Sequence, residues 1–188
     1  MGSGARNSEK NGGMEMKNAA ARKISLFLLS AAMFVFAGYA AAESPANADF
    51  EYVVRGGGIT ITGYRGGASE VVIPAQIEGL PVRAIGDGAF NDNDSLTSVT
   101  IPGSVITIGE MAFANCGSLT NVTIGEGVRT IADAAFTYSG LLADITIPDS
   151  VTEIAGDAFY FCDSLPEITR QRIRQINPDA YFTRGETL

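Results

Sequence analysis

LTSVTIPGSVITIGEMAFANCGS (96–118), LTNVTIGEGVRTIADAAFTYSGL (119–141) and LADITIPDSVTEIAGDAFYFCDS (142–164) are one 23-residue unit written three times without interruption. Leu96, Leu119, Leu142 and Leu165 fall at equal intervals, as do Val99, Val122, Ile145 and Ile168. The same spacing relates Ile101, Ile124 and Ile147; Val105, Val128 and Val151; Ile108, Ile131 and Ile154; and Phe113, Phe136 and Phe159. Self-similarity at this period marks a solenoid, whose units cannot bury an apolar face alone and so bury it against their neighbours. The expected fold class is a mainly β repeat solenoid of about four 23-residue coils.

Within the unit, L-x-x-V-x-I directs three side chains inward from an extended segment, and Pro102, Gly125 or Pro148 ends that segment. V-x-x-I supplies a second, shorter one. The Ala-Phe pairs at 112–113, 135–136 and 158–159 lie in the least strand-like part, where a helical turn or a short 3₁₀ piece is expected. Stacking the coils then piles the phenylalanines in a column at intervals of ~5 Å.

Upstream, Val82, Ile85 and Phe90 match Val105, Ile108 and Phe113, but Ile73-Pro74 matches Ile101-Pro102 only across five extra residues. Residues 71–95 thus read as a first, modified coil with an inserted loop at Gly79 and Pro81, and 71–165 as the solenoid. Phe50–Val54, Ile59–Tyr64 and Val71–Pro74 read as short strands separated by glycine clusters, and a hairpin among residues 43–70 is expected to cap the first coil. Downstream, 166–188 is a second cap, for which two readings stay open. One is a helix over 166–176 with a Ser164/Glu167 capping box and a stripe of Ile168, Ile173 and Ile176; the other is a fifth strand over 165–169.

Residues 1–42 are leader and export signal: an apolar run, Ile24–Ala42, follows Arg22-Lys23 and closes on small residues. An uncleaved anchor is the alternative, since 19 residues can span a bilayer. After the leader the chain holds eight Arg against nineteen Asp and Glu, a net charge of −11. Such a body repels phosphate backbones and anionic membranes, so no nucleic-acid partner and no membrane insertion after signal cleavage are expected. Cys116 and Cys162 hold the same unit position two coils apart, which at ~4.8 Å per coil exceeds the reach of a disulfide and predicts two free, buried thiols.

There is no His anywhere, and no Lys beyond residue 23. That removes His-based catalysis, His-ligated zinc, Schiff-base lysines and the phosphate-binding loop lysine, so the chain is read as a non-enzyme without catalytic residues, cofactor or metal. Carboxylate pairs remain for hydrolysis, but Asp133, Asp149, Asp157 and Asp163 occupy polar positions where solvated acids belong. Asn91-Asp92-Asn93-Asp94 lacks the Gly and the distant Glu of a calcium loop and reads as a polar turn.

The unit resembles the BspA-like leucine-rich repeats of bacterial surface and secreted proteins, L-x-x-V-x-I-P-x-x-V-x-x-I-G-x-x-A-F-x-x-C-x-x, from Val71 to about Ile168. The agreement extends to Ile85-Gly86, Ile108-Gly109 and the two cysteines; Gly125, Ala132, Ala155 and Ser139 depart from it. The resemblance implies a right-handed solenoid, a place outside the cell, and a role in adhesion or protein recognition. The face open to such a role is the outer side of the first strand. Unit position five is always Thr (Thr100, Thr123, Thr146), while position three varies (Ser98, Asn121, Asp144), as when one surface is customised on a fixed scaffold. The expected partner is an extracellular or host protein or glycan, bound by a monomer. A structural envelope component without a discrete ligand is the alternative.

Overall fold

In the computed structural model, which describes residues 47–183, the chain folds as stacked coils between two caps. The leader and export signal read at 1–42, the start of the tether and the last five residues lie outside the described residues. In order come β1 (Phe50–Arg55), β2 (Gly58–Tyr64), β3 (Glu70–Val72), β4 (Gln76–Ile77) and β5 (Leu80–Ile85). The regular coils supply β6 (Ser98–Ile101), β7 (Thr107–Ile108), β8 (Asn121–Ile124), β9 (Thr130–Ile131), β10 (Asp144–Thr146) and β11 (Glu153–Ile154), and α1 (Glu167–Ile176) follows.

Two sheets run along the stack, parallel from coil to coil, with β1–β2 and β4–β5 the antiparallel pairs. The first has the order β3-β6-β8-β10 and pairs each residue with its equivalent one unit on: Val99 with Val122, Val122 with Ile145. The second runs β1-β2-β5-β7-β9-β11, with β4 on the flank of β5. Between them lies one continuous core in which Leu96, Val99, Val105, Ile108 and Phe113, and their equivalents in the next coil, are all buried. The five-residue insert is not an open loop. It closes as a tight hairpin, β4 against β5, with Glu78 and Gly79 both at positive φ (51° and 76°), and it buries Ile77.

The Ala-Phe segment differs from the expected helical turn, for a physical reason. A helix would keep its hydrogen bonds inside the coil. Here successive N–H groups alternate: Ala112 and Ala114 donate within the coil to Gly109 and Met111, while Met111, Phe113 and Asn115 donate to Asp133, Ala135 and Thr137 of the next coil. The result is a third inter-coil ladder built from tandem turns. Its geometry places Met111, Asn115, Ala134 and Tyr138 at φ between 51° and 59°, a left-handed strain offset by the added bonds. Within this ladder Phe90, Phe113, Phe136 and Phe159 stack with centroids 4.9, 5.3 and 5.1 Å apart and ring planes within 16°.

The caps extend what they close. β2 does not lie across the first coil; it pairs in parallel with β5 and sets Ile59 and Ile61 beside Val82 and Ile85, as a further copy of the short strand would. Tyr64 adds a ring to the column, 5.4 Å from Phe90. At the other end the helix forms rather than a fifth strand, but without its capping box. Pro166 is the N-cap and no side chain bonds there; the Arg170 guanidinium instead donates to the Leu165 and Asp163 carbonyls. The stripe is corrected too: Ile173 is buried and Ile176 half-buried, whereas Ile168 is 74% exposed, because it stands on a different side of α1. Thr169 Oγ1 reaches the Ile145 carbonyl at 3.4 Å, Asn177 Nδ2 the Ile154 carbonyl at 2.8 Å, and the Phe161 N–H bonds Phe182, so each ladder is met by the cap.

Both cysteines are free and buried. Cys116 Sγ donates to the Phe90 carbonyl (3.2 Å) and Cys162 Sγ to that of Phe136 (3.0 Å); Ser139, between them in the column, donates to Phe113 (2.9 Å). Burial pushes the two thiols up, to about 11 for Cys116 and about 12 for Cys162, so both are protonated donors at neutral pH.

Three outcomes are expected. Phe136→Ala removes the central ring of a dry column and should lower the unfolding free energy by about 3–5 kcal/mol in a denaturant titration. Cys162→Ala leaves the Phe136 carbonyl without its side-chain donor and should cost about 1–2 kcal/mol, with Cys162→Ser restoring most of it. The unfolded chain ionises its thiols near 9 while the folded chain keeps those protons, so the cysteines' contribution is complete below pH 9 and falls as pH rises through about 11 and 12. Alkaline melts of the Cys116→Ser/Cys162→Ser variant should therefore decline less steeply than those of the parent.

Candidate functional site

The outer face of the sheet β3-β6-β8-β10 carries all six residues singled out from the unit. Parallel in-register pairing is what aligns them: Ser98 opposes Asn121 and Asn121 opposes Asp144, while Thr100, Thr123 and Thr146 form the adjacent row. The first row is bonded along its length. Ser98 Oγ donates to Asn121 Oδ1 at 3.3 Å, and Asn121 Nδ2 donates to Asp144 Oδ2 at 2.9 Å. Asn121 is thereby oriented from both sides, and the carboxylate stands at the exposed end. Ser98, Thr100 and Asn121 are half-buried, Thr123, Asp144 and Thr146 exposed.

Beside this row Thr97 and Thr120 tie the strand starts together, their hydroxyls donating to the Ser69 and Thr97 carbonyls at 3.0 and 3.1 Å. The sheet is thus fixed by main-chain and side-chain bonds, and a ligand would meet preset groups.

The structure adds residues that the unit pattern left out. β3 pairs with β6 so that Glu70 opposes Ser98 and Val72 opposes Thr100, extending both rows by one step. Aligning Val71 with Val99 across the insert would have revealed them. Val72 is 70% exposed. Beyond β10 the threonine row opens into a recess of ≈ 350 Å³ between the strand and α1, lined by Thr146, Ile147, Ile168 and Arg172 among others. The Arg172 guanidinium, held by Asp149 at 3.0 Å, sets a cation at the rim. The face therefore runs from a carboxylate and an exposed valine, across hydroxyls and an amide, to an isoleucine and an arginine.

Other candidate chemistry is engaged locally. Asn93 Oδ1 accepts from the Ser95 N–H and hydroxyl, and Asn91 Nδ2 donates to Asp92, as in a polar turn. Asp87 and Asp157 accept main-chain N–H bonds from Glu110 and Ala134 of neighbouring coils. Among the described residues no group of three Cys, Asp or Glu is arranged to hold a metal ion, and no helix is long and apolar enough to cross a membrane.

A comparison with curated proteins gives no match. Among solved structures the chain is similar to a leucine-rich repeat protein from Bacteroides capillosus, with 32% identity over 73% of this chain and 95% of that one and a TM-score of 0.57. It is also similar to a leucine rich cell surface protein from Faecalibacterium prausnitzii, with 40% identity, 63% of this chain and a TM-score of 0.58, though it spans only 35% of that protein's length. The leucine-rich repeat protein of T. pallidum, 23% identical over 73% of this chain and 98% of that one with a TM-score of 0.50, shares the fold. Residues 70–185 match the family model described as BspA type leucine rich repeat region (6 copies), and with more than half its length matched the chain belongs to that family.

Proposed function

We propose that this chain is an exported, non-enzymatic recognition module that engages an extracellular or host protein through the β3-β6-β8-β10 face. The observation that carries the reading is the hydrogen-bonded row Ser98–Asn121–Asp144, chemically varied and held rigid on strands whose inward positions barely vary. Preset polar groups flanked by exposed apolar side chains, Val72 at one end and Ile168 at the other, are the composition of a protein interface rather than of a closed substrate cleft. Family membership supports an interaction repeat in general. The similar Faecalibacterium protein's description as a cell surface protein, together with the leader's export pattern, supports a position outside the cell.

The test is a binding screen of the chain against extracellular matrix proteins and a glycan array, repeated with Ser98, Asn121 and Asp144 all changed to Ala. The module reading expects a protein hit whose affinity drops at least about tenfold in the triple variant while its melting temperature stays within a few degrees. Equal binding by parent and variant would move recognition off this face.

A further inference from the structure

The side of the molecule formed by the turn ladder carries a second surface, independent of the strand face. One column of that ladder holds Asp92, Asn115, Tyr138 and Phe161, each 23 residues after the last, so its chemistry changes from polar in the early coils to aromatic in the late ones. Tyr138 and Phe161 stack at 4.8 Å with planes 20° apart. Tyr160 packs against Phe161 (4.2 Å) and edge-on to Tyr138 (6.1 Å), and Tyr181 of the C-terminal cap meets Tyr160 at 5.3 Å. Four rings thus form one cluster outside the core, with Tyr138 52% exposed and the other three half-buried. The same turn segments expose Met111 (45%) and Leu141 (55%).

Charge singles out an occupant. The four turn segments, 86–95, 109–118, 132–141 and 155–164, contain Asp87, Asp92, Asp94, Glu110, Asp133, Asp157 and Asp163, and not one Arg or Lys. Among the described residues the arginines lie elsewhere: Arg55 and Arg83 on β1 and β5, Arg65 just after β2, Arg129 just before β9, and Arg170, Arg172 and Arg174 on α1. Aromatic faces inside a field of one sign attract the opposite one, because a guanidinium or ammonium gains both the ring quadrupole and the carboxylates. The chain already makes such contacts at its own cap, where the guanidinium carbons of Arg170 and Arg174 lie 5.0 and 4.9 Å from the centre of the Phe182 ring. Asp157 and Tyr160 also act on Tyr181, adding to the burial that raises its phenol. Neutral sugars stack on exposed rings as well, but they would leave the carboxylate excess unanswered.

We propose that Tyr138, Tyr160, Phe161 and Tyr181, on the turn side of the last two coils, form a docking surface for an Arg- or Lys-rich segment of a partner protein.

The test is fluorescence anisotropy of a labelled octa-arginine peptide titrated with the full chain. Tyr138→Ala/Tyr160→Ala should weaken binding about tenfold, as expected from two cation–π contacts, while Tyr138→Phe/Tyr160→Phe stays within about twofold. Asp133→Asn/Asp163→Asn and added salt should also weaken it. The Ser98, Asn121 and Asp144 triple alanine variant should bind the peptide like the parent, so the two faces fail separately. Should the double alanine variant lose its fold in a thermal melt, the exposed Tyr138→Ala decides alone, with an expected loss of about threefold. The proposal is overturned if the parent does not bind the peptide, or if the alanine variants bind it as tightly as the parent, which would make the attraction one of net charge only. It is equally overturned if neutral oligosaccharides bind in a Tyr138-dependent way, which would make the surface a glycan site.

Discussion

Every feature of this molecule depends on one constraint: backbone groups at a given position of one coil hydrogen-bond to the same region of the next. Three ladders meet that demand, two parallel sheets and the column of tandem turns. Stacking at ~5 Å follows from the bonds, and the equivalence of side chains follows from the stacking. A phenylalanine in one coil must then lie over a phenylalanine in the next, with no space for water between, because the main chain leaves no other place for it. The repetition in the sequence is the record of that geometry.

The departures from strict repetition are explained by the same rule. Ser139 stands where its neighbours have cysteine, and all three side chains donate to the carbonyl of the phenylalanine one coil before. What the column requires is a small buried donor, whether sulfur or oxygen. Gly125 stands where the adjacent coils have proline; its N–H bonds the Ile101 carbonyl at 2.9 Å, which proline could not do. Two residues on, Gly127 passes so close to Gly103 that a Cβ would fall 1.8 Å from its carbonyl oxygen. The third coil has exchanged the stiffness of proline for a closer approach of backbones.

The inward positions were readable from the sequence because burial selects side chains at fixed spacing: Leu96, Val99, Ile101, Val105, Ile108 and Phe113 all lie where the pattern puts them. The outer positions of β6, β8 and β10 were readable for the same reason, since alternation assigns them to the opposite side. What escaped was whatever depends on hydrogen bonds rather than on apolar spacing. A helical turn and a tandem-turn ladder bury the same Ala-Phe pair, so hydrophobicity could not distinguish them, and the decisive feature, a left-handed φ at Met111 and Ala134, is one that residue type does not announce. The capping box failed because the helix starts at Glu167 with Pro166 at the cap, a side chain with no acceptor to offer the first-turn N–H groups, while Ser164 stands outside the cap position. Glu70 and Val72 were missed because the insert before β5 breaks the count, although the register across β3 and β6 is intact.

A solenoid of this kind separates stability from recognition by direction. Side chains directed inward must repeat; those directed outward need only tolerate their neighbours one coil away. That tolerance is itself a constraint, because identical charges stacked at ~5 Å repel. The outer row of the first sheet satisfies it by changing from Ser98 to Asn121 to Asp144, each able to bond the next, so that one carboxylate is carried without a like charge beside it. The turn column satisfies it differently, replacing Asp92 and Asn115 by stacked Tyr138 and Phe161, which attract one another where two carboxylates would not. Variation along each column is therefore limited to sets of side chains that are mutually compatible, and that limit gives each side of this short solenoid its own chemical gradient from the first coil to the last.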